Sequence, residues 1–334
     1  MTTEKRKICI VGTGAAVPEQ ILFSETIDAS FGLPIGTVLE RYGVRCRHRT
    51  VNETAAGLAV SACEAALTEA GLDWGDIDCL VAASATMDQA LPYNAAMILA
   101  ELGTKAKRTA GFDIGASCLS FLVALDTLSY LVEVGRYRHV LIVSADIATF
   151  SLDWATLGES AIFGDGAAAA IIRKSRDNET SALLASHIEN FPEGIEFCHI
   201  KAGGSRYHPR RMSQSIDPFA LFHMDGPRVF RTASRELPRF LTGLLIRAGL
   251  SLDEIDLVVP HQASRLALDH LARRLKVDAP RIIDIFERYG NQVGASLPSA
   301  MHHAIMSGRA RRGDTLLLIG SGAGLTIGGI VLVY

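Results

Sequence analysis

The chain has 334 residues, of which 49% are apolar and 21% are charged. This composition is typical of a globular protein with a large core, and it excludes extensive disorder. The formal net charge is −3, with both signs mixed along the sequence, so nothing indicates a nucleic-acid groove. No segment approaches the roughly 20 consecutive apolar residues of a membrane-spanning helix. We therefore expect neither a nucleic-acid nor a membrane partner.

Residues 1–7 are polar and lack the apolar stretch of a signal peptide, which predicts a cytoplasmic protein. The six cysteines are scattered without a Cys-x-x-Cys pair, as is typical of a reducing compartment and not of a structural zinc site. They are Cys9, Cys46, Cys63, Cys79, Cys118 and Cys198. We expect no metal and no bound cofactor.

The predicted elements of the first half alternate between strands and helices. Residues 8–11 predict a strand, and a helical pattern that ends at Ala70-Gly71 precedes a buried strand at residues 79–81. The apolar segment after Cys118 predicts a further helix, and residues 140–143 predict a further strand. Residues 173–180 are charged and polar, which predicts a surface connection.

The second half repeats this order after an irregular segment at residues 191–218, which is rich in Gly, Arg and His and predicts a flap. Residues 248–259 echo residues 70–81, and the Gly-Ala-Ser of residues 294–296 echoes that of residues 115–117. Each Gly-Ala-Ser precedes an apolar segment of helix length. Echoes in nearly the same register predict a duplicated α/β unit.

This duplication predicts two halves, residues 1–175 and 176–334, each with a buried mixed sheet. We expect helices shared between the two sheets, which gives a layered α/β/α/β/α sandwich.

Cys118 is the first candidate for chemistry. It follows Gly115-Ala116-Ser117 and opens an apolar helical pattern. A thiol at a helix N-terminus meets the positive end of the helix dipole, which favours the thiolate. The residues alone leave two interpretations open, a nucleophile and a buried structural cysteine.

His261 and Asn291 are polar residues at the matching places of the second half. His261 follows the predicted strand at residues 257–259, where α/β folds expose functional groups, and the first half has Ala83 there. Asn291 lies in the loop before the helix that repeats the Cys118 helix, so two-fold packing would bring these loops towards a shared centre. A satisfied core histidine and a turn asparagine are the alternatives.

The run Gly-Ser-Gly-Ala-Gly at residues 320–324 follows the last core strand. Such a turn either presents backbone N–H groups to a developing oxyanion or simply joins two strands. The basic stretch at residues 41–49 fits a phosphate or an acidic carrier protein, although a solvated charged face is the more usual explanation.

Three other patterns do not indicate a site. The Gly-Thr-Gly at residues 12–14 lacks the third glycine of a dinucleotide fingerprint. The Gly-Asp-Gly at residues 164–166 is interpreted as structural. His302 and His303 are adjacent on a predicted helix, so they point to different sides and do not form a metal pair.

Five motifs carry a family resemblance: Gly-Ala-Ser-Cys ending at Cys118, Pro-His-Gln-Ala around His261, Tyr-Gly-Asn ending at Asn291, and the runs at residues 162–166 and 223–226. Together they resemble the ketoacyl-acyl-carrier-protein synthase III group of the thiolase superfamily. The similarity covers essentially the whole chain, and the Cys, His, Asn order is its most specific signal. It implies a thiolase-like duplicated five-layered α/β/α/β/α sandwich, usually a homodimer.

The resemblance implies a ping-pong acyltransferase reaction. Cys118 takes an acyl group from acyl-CoA or acyl-carrier protein, and a malonyl-carrier protein then loses carbon dioxide to give an enolate that attacks the acyl-cysteine. His261 and Asn291 would donate hydrogen bonds to the malonyl thioester carbonyl. The backbone N–H groups of Cys118 and Ala323 would form the oxyanion hole, and the product would be a 3-oxoacyl thioester.

By the same resemblance, substrate contacts are predicted at Arg41, Leu91, Leu157, Gln262 and Ser321. Thr37 and Leu157 replace a Trp and an Arg that hold the adenine of coenzyme A in many members. Leu91 replaces a Phe that many members present from the partner subunit at the end of the acyl pocket, which predicts room for a longer or unusual acyl group. Ser321 replaces a Phe beside the decarboxylation site.

Several functional alternatives remain open at this point. Arg206, Arg210 and Arg211 either recognise an acidic substrate or form an exposed basic loop, and the chain could serve specialised metabolism instead of fatty-acid initiation. Cys118 could pass its acyl group to an oxygen or nitrogen acceptor without condensation. A non-catalytic scaffold is the third hypothesis. The chain keeps Cys118, His261 and Asn291, which favours the condensing enzyme.

Overall fold

The computed structural model describes residues 5–106 and 108–334. The first four residues of the polar segment 1–7 therefore lie outside the described part. In chain order the strands are β1 (Ile8–Ala16), β2 (Gln20–Phe23), β3 (Cys46–Arg49), β4 (Cys79–Ala82), β5 (Ala110–Asp113), β6 (His139–Asp146), β7 (Gly166–Lys174), β8 (Ala182–Asn190), β9 (Cys198–His199), β10 (His223–Met224), β11 (Leu257–Pro260), β12 (Thr315–Gly322) and β13 (Thr326–Val333).

The α-helices vary from one turn to more than six turns. They are α1 (Ser24–Ser30), α2 (Thr37–Tyr42), α3 (Ala55–Ala70), α4 (Asn94–Leu102), α5 (Ser120–Glu133), α6 (Leu157–Ser160), α7 (Asp217–Ala220), α8 (Gly226–Ala248), α9 (Arg265–Leu275), α10 (Phe286–Tyr289) and α11 (Ser296–Met306). Among the described residues, 5–106 and 108–334, no helix is both long and apolar enough to span a lipid bilayer.

Two mixed sheets form the body of the molecule. The first has the strand order β1-β7-β6-β4-β5, with β4 parallel to β5 and β6 and the other pairs antiparallel. The second has the order β11-β12-β13-β8, and a parallel bridge from Val258 to Ile282 extends it beyond β11. The strand positions of one sheet therefore recur in the other, as a duplicated unit requires.

The sheets and helices stack in five layers. Helices α5 and α11 lie between the two sheets in one apolar cluster that contains residues of both. Helices α3 and α4 cover the outer face of the first sheet, and α8 and α9 cover the outer face of the second. Because both faces of β6 are covered, its residues 140–143 form a continuous apolar run instead of an alternating one.

The duplication is visible at the level of single turns. Before β4 and before β11 the chain forms a 3₁₀ helix closed by a capping box, at Trp74–Asp76 and Leu252–Glu254. The predicted echo of residues 70–81 in residues 248–259 is therefore confirmed. The connection between β7 and β8 contains residues 175 and 176, and the division into two halves there stays a prediction.

The second echo needs a correction of register. Helix α5 follows the 3₁₀ helix Ser117–Leu119, and α11 follows the 3₁₀ helix Val293–Ala295. Ser117 and Val293 have matching left-handed φ angles of 54° and 53°. Ser117 thus corresponds to Val293 and not to Ser296. The Gly-Ala-Ser match in the sequence was a coincidence that is shifted by three residues from the structural alignment.

Close packing of β1 on α3 depends on glycine. A Cβ atom on Gly14 would lie 2.5 Å from the backbone nitrogen of Ala66 and still nearer to the carbonyl oxygen of Ala62. We expect Gly14→Ala to lower the free energy of unfolding by roughly 1–3 kcal/mol, since the strand or the helix must move. Urea unfolding measures this.

Gly243→Ala is the matched control for that experiment. Gly243 lies inside α8, and a Cβ atom there meets nothing within 4 Å. This variant should gain roughly 0.5–1 kcal/mol, because alanine favours a helix over glycine. Equal stabilities of the two variants would contradict the packing argument.

Candidate active site

Cys118 lies in the 3₁₀ helix Ser117–Leu119, between the end of β5 and the start of α5. Ser117 occupies the left-handed region with a φ of 54°, which residues other than glycine rarely adopt. The hydroxyl of Ser120 accepts a hydrogen bond from the Ala116 N–H at 2.8 Å and donates to the Ser117 carbonyl at 2.7 Å. The strained turn is thereby fixed, and it holds the half-buried Cys118 thiol in one place.

The surroundings of Cys118 favour the thiol and not the thiolate. Burial raises the pKa of the Cys118 thiol to about 11, and the negative charge of Asp146 acts in the same direction. The Ser117 hydroxyl and the N–H groups of Cys118 and Ala323 lower this pKa, but by less. The expectation that a helix start would favour the thiolate is therefore wrong, because desolvation outweighs it.

The connection from β12 to β13 lies against the Cys118 turn. A Cβ atom on Gly322 would lie 3.4 Å from the Ala116 carbonyl oxygen and 3.5 Å from the Cys118 nitrogen. The following N–H, that of Ala323, is close enough to the sulfur to lower its pKa. Two backbone N–H groups therefore converge beside the sulfur, which is the arrangement of an oxyanion hole. That role for Cys118 and Ala323 stays a prediction.

His261 begins the loop after β11. Its N–H donates to the Ile319 carbonyl at 2.8 Å, and only 5% of the residue is exposed. A Cβ atom on Gly320 would lie 2.7 Å from the His261 Cβ and 3.1 Å from Leu119 Cδ2. Because Gly320 fits between His261 and the residue after Cys118, the loops of these two candidates meet.

The imidazole of His261 is neutral at physiological pH. Burial lowers its pKa to about 4, since the charged form has lost its water. Nδ1 is buried without a hydrogen-bond partner in the described ranges. An orphaned buried N–H is rarer than an orphaned acceptor, which favours the tautomer with its proton on Nε2.

Asn291 is held by both ends of its side-chain amide. Nδ2 donates to the Ala263 carbonyl at 3.2 Å, and Oδ1 accepts from the Val293 N–H at 2.9 Å and from the Ser296 hydroxyl at 3.3 Å. The Ala263 bond ties Asn291 to the His261 loop. A Cβ atom on Gly294 would lie 3.5 Å from the Ser117 carbonyl oxygen, which ties the same turn to Cys118. The structure therefore brings the three predicted catalytic residues into one site.

Comparison with known proteins shows the family of the chain. The 3-oxoacyl-(acyl-carrier-protein) synthase III family model matches residues 112–191, and the model of its C-terminal part matches residues 245–334. The beta-ketoacyl-(acyl-carrier-protein) synthase III of Aquifex aeolicus is 30% identical over 327 residues, covering 97% of this chain and 99% of that protein. That of Roseiflexus castenholzii is 34% identical over 318 residues, 95% of each chain.

The chain belongs to the 3-oxoacyl-acyl-carrier-protein synthase III family. The crystal structure of the Pseudomonas aeruginosa 3-oxoacyl-(acyl carrier protein) synthase III is 30% identical, with a TM-score of 0.88 over 98% of both chains. The priming beta-ketosynthase of the R1128 polyketide pathway is also 30% identical, with a TM-score of 0.87 over 100% of this chain and 98% of that one. These findings confirm the thiolase-like fold and the acyltransferase class.

Four of the predicted substrate contacts are partly or fully exposed to solvent. Arg41 is exposed in the last turn of α2, and Leu157 starts α6. Ser321 lies in β12, next to the glycine that His261 contacts. Leu91 is 82% exposed in the loop before α4. Their contacts with substrate stay predictions.

Gln262 is not such a contact. Its side chain is fully buried, and Nε2 donates to the Pro260 carbonyl at 2.8 Å and the Ile283 carbonyl at 3.1 Å. Oε1 accepts from the Ile285 N–H at 3.0 Å. The side chain is therefore committed to backbone groups, and it braces the loop that carries His261.

The basic stretch at residues 41–49 is not one solvated face. Arg47 is fully buried and donates to the Ala161 carbonyl, and burial lowers its pKa to about 10. Arg45 pairs with Glu287 at 2.7 Å, and the Arg49 guanidinium lies 4.8 Å above the Trp154 ring. Each of these three arginines has a partner within the protein, which leaves Arg41 as the cation predicted to contact substrate.

The structure bears on two other interpretations. Asp165 is fully buried and accepts five hydrogen bonds, from residues Thr50, Ala148 and Thr149, so the Gly-Asp-Gly run is structural as predicted. His302 contacts the Thr13 hydroxyl at 2.9 Å. In the described ranges no cluster of His, Cys, Asp or Glu is suited to hold a metal ion.

One residue beside the site was missed from the sequence. Asp146 ends β6, is fully buried, and its charge acts on Cys118. The available signal was a carboxylate three residues after the apolar run of residues 140–143. Strand periodicity alone gives such a residue no partner, so only the packed structure connects it to the site.

The lowered pKa of His261 predicts a specific pH dependence of stability. The unfolded chain binds a proton near pH 6.5 and the folded chain only near pH 4, so the free energy of unfolding falls as the pH drops through that window. The share of His261 is roughly 3 kcal/mol. We expect His261→Asn to remove this share, measured by urea unfolding at a series of pH values.

His208→Asn is the control, because His208 is exposed in the irregular segment. Its stability should follow that of the wild type across the same pH range. Parallel curves for the wild type and His261→Asn would show that the His261 imidazole is not buried as a neutral group.

Proposed function

We propose that the protein condenses an acyl thioester with a malonyl thioester, through an acyl-cysteine on Cys118, and releases carbon dioxide and a 3-oxoacyl thioester. The observation that carries this proposal is that the loops bearing Cys118, His261 and Asn291 meet. Gly320 and Gly294 allow their close packing. The relatives named beta-ketoacyl-(acyl-carrier-protein) synthase III support the reaction type.

In the first half-reaction the Cys118 sulfur attacks the carbonyl carbon of an acyl-CoA or acyl-carrier-protein thioester. The N–H groups of Cys118 and Ala323 stabilise the oxyanion, and the C–S bond to the leaving thiol breaks. The Cys118 thiol is protonated because of its raised pKa. Its proton must therefore pass to the leaving sulfur, so that coenzyme A or the carrier protein leaves as the neutral thiol.

In the second half-reaction the malonyl thioester loses carbon dioxide. The electron pair of the broken C–C bond moves to the thioester oxygen as an enolate, which His261 Nε2–H and the second hydrogen of Asn291 Nδ2 stabilise. The enolate carbon then attacks the acyl-cysteine carbonyl, the C–S bond to Cys118 breaks, and the released Cys118 thiolate takes a proton from solvent. Neutral donors suit this step, because a strong acid would protonate the enolate before it reacts.

We also propose that the reaction uses only the side chains and substrates named here, without a resident metal or cofactor. The donor groups of the site are an imidazole, an amide and backbone N–H groups, which supply the hydrogen bonds that the two oxyanions need. The carbon nucleophile comes from decarboxylation of the substrate itself. Activity that survives exhaustive dialysis against a chelator is the expected result.

Two variants separate the half-reactions. Cys118→Ala should abolish the acyl adduct seen by intact mass spectrometry after incubation with a panel of acyl thioesters. Asn291→Ala should keep the adduct but lower carbon dioxide release from malonyl thioester by roughly 10²–10³-fold, the usual effect of losing one oxyanion donor.

Cys198→Ala is the matched control, since Cys198 is also a half-buried free thiol. It should keep the adduct. No carbon dioxide from the wild-type acyl-enzyme with any malonyl donor would overturn condensation and leave plain acyl transfer. Loss of both half-reactions in Asn291→Ala would show that its role is not confined to decarboxylation.

We further propose a homodimer in which the loop before α4 lies at the interface. Met87, Leu91 and Tyr93 are 61%, 82% and 47% exposed in this loop, and three large apolar residues so close together indicate an interaction surface. In a homodimer Leu91 would end the acyl pocket of the partner.

Leu91→Glu should weaken this dimer, because it places a charge in an apolar contact. Sedimentation velocity should show a shift from dimer to monomer. Val134→Glu, at an equally exposed apolar residue after α5, is the control and should stay dimeric. A wild-type monomer would contradict the proposal.

A further inference from the structure

Asp146 is a buried carboxylate that the reaction above does not use. It ends β6 and is fully buried. Oδ1 accepts hydrogen bonds from the Ala85 N–H at 2.8 Å, the Thr86 N–H at 2.7 Å and the Thr86 hydroxyl at 2.9 Å. Three donors on one oxygen fix the orientation of the carboxylate and favour its ionised form.

The other oxygen faces the turn that carries Asn291. A Cβ atom on Gly294 would lie 2.7 Å from Asp146 Oδ2. The Gly294 N–H is near enough to lower the pKa of the carboxyl, yet it does not reach hydrogen-bond geometry, and Oδ2 has no partner in the described part of the chain. Burial is the larger effect and raises the pKa of Asp146 to about 6.

The turn that Asp146 faces is strained. Val293 has a φ of 53°, which is unfavourable for a β-branched residue. Its N–H donates to Asn291 Oδ1 at 2.9 Å. The next residue, Gly294, lies against Asp146 Oδ2. The turn therefore lies between two side-chain acceptors: Asn291 Oδ1 accepts a hydrogen bond from it, and Asp146 Oδ2 is close to it without one. The first acceptor belongs to the amide that is proposed to act on substrate.

A second buried aspartate shows what a purely structural carboxylate looks like here. Asp165 has donors on both oxygens, from Ala148 and Thr149 on Oδ1 and from Thr50 and Thr149 on Oδ2. Asp146 has hydrogen-bond donors on Oδ1 only. A buried oxygen without a hydrogen bond costs free energy, so Asp146 is not explained by stability alone.

We propose that Asp146 is a positioning residue for the condensation step: its Oδ2 attracts the nearby Gly294 N–H, which keeps the Val293–Ala295 turn, and with it the Asn291 amide, in place. This inference rests on the proposed function. Val293–Ala295 also contacts Ser117–Leu119, so Asp146 keeps the turn of the nucleophile and the turn of the amide donor in register. Acylation does not depend on the Asn291 amide, whereas decarboxylation does.

The test uses Asp146→Asn in the full-length protein, because asparagine keeps the volume but puts an amide N–H₂ or a weaker acceptor against Gly294. We expect the acyl adduct on Cys118 to form at a rate near that of the wild type. Carbon dioxide release should fall roughly 100-fold, as expected for a displaced catalytic group. The loss should appear in kcat, with the KM for the malonyl thioester little changed.

Coupling to Asn291 gives the decisive readout. If Asp146 acts through that amide, the double variant Asp146→Asn with Asn291→Ala releases carbon dioxide no more slowly than Asn291→Ala alone. Additive losses would overturn the inference. So would wild-type carbon dioxide release in Asp146→Asn, or equal losses in both half-reactions.

Two further variants guard this experiment. Asp78→Asn is the control. Asp78 precedes β4, so it lies at the opposite end of the parallel strands from Asp146, and it also accepts a backbone N–H, from Arg138 at 2.6 Å. Both half-reactions should survive in it. If Asp146→Asn does not fold, Thr86→Val is used instead, because it removes one hydrogen-bond donor to Asp146 Oδ1. A selective loss of carbon dioxide release in this variant supports the inference, and unchanged carbon dioxide release overturns it.

The wild-type measurement separates this inference from the proposed function. No carbon dioxide from the wild type would overturn the proposed function and the role of Asp146 with it. If the wild type releases carbon dioxide and the losses in Asp146→Asn and Asn291→Ala are additive in the double variant, only the role of Asp146 is overturned.

Discussion

The contact between two equivalent turns is the constraint on which the rest of the structure depends. Ser117–Leu119 and Val293–Ala295 meet between the two sheets, where α5 and α11 begin. Each turn has a left-handed residue, and each is closed by a serine hydroxyl, of Ser120 or Ser296, that accepts a backbone N–H at 2.8 Å. Because the duplicated halves share one core, these two turns meet, and the site forms where they are in contact.

Burial dominates the electrostatics of this contact. The pKa of the Cys118 thiol rises to about 11, that of Asp146 rises to about 6, and that of His261 falls to about 4. Each shift disfavours the charged form, as low dielectric surroundings require. The groups that meet the substrate are therefore neutral hydrogen-bond donors and a neutral thiol, which suits a reaction whose charge develops on substrate oxygens.

Much of this arrangement could be predicted from the sequence, because duplication and motif order are sequence properties. The echo of residues 70–81 gave the repeated unit, and the Cys, His, Asn order gave the residues that the structure brings together. Other features depend on packing. Neighbours distant in sequence determine the register of the second echo, the buried amide of Gln262, the burial of Arg47 and the raised pKa of Cys118. Asp146 was missed for the same reason, since its partners lie on loops that only the fold assembles.

The protonated state of Cys118 bears on how the protein withstands its surroundings. Oxidants and most alkylating reagents react with thiolates and hardly with thiols. With a pKa of about 11, the thiolate of the resting protein is on the order of one part in 10⁴ at pH 7. The nucleophile is therefore chemically quiet until a thioester occupies the site beside it.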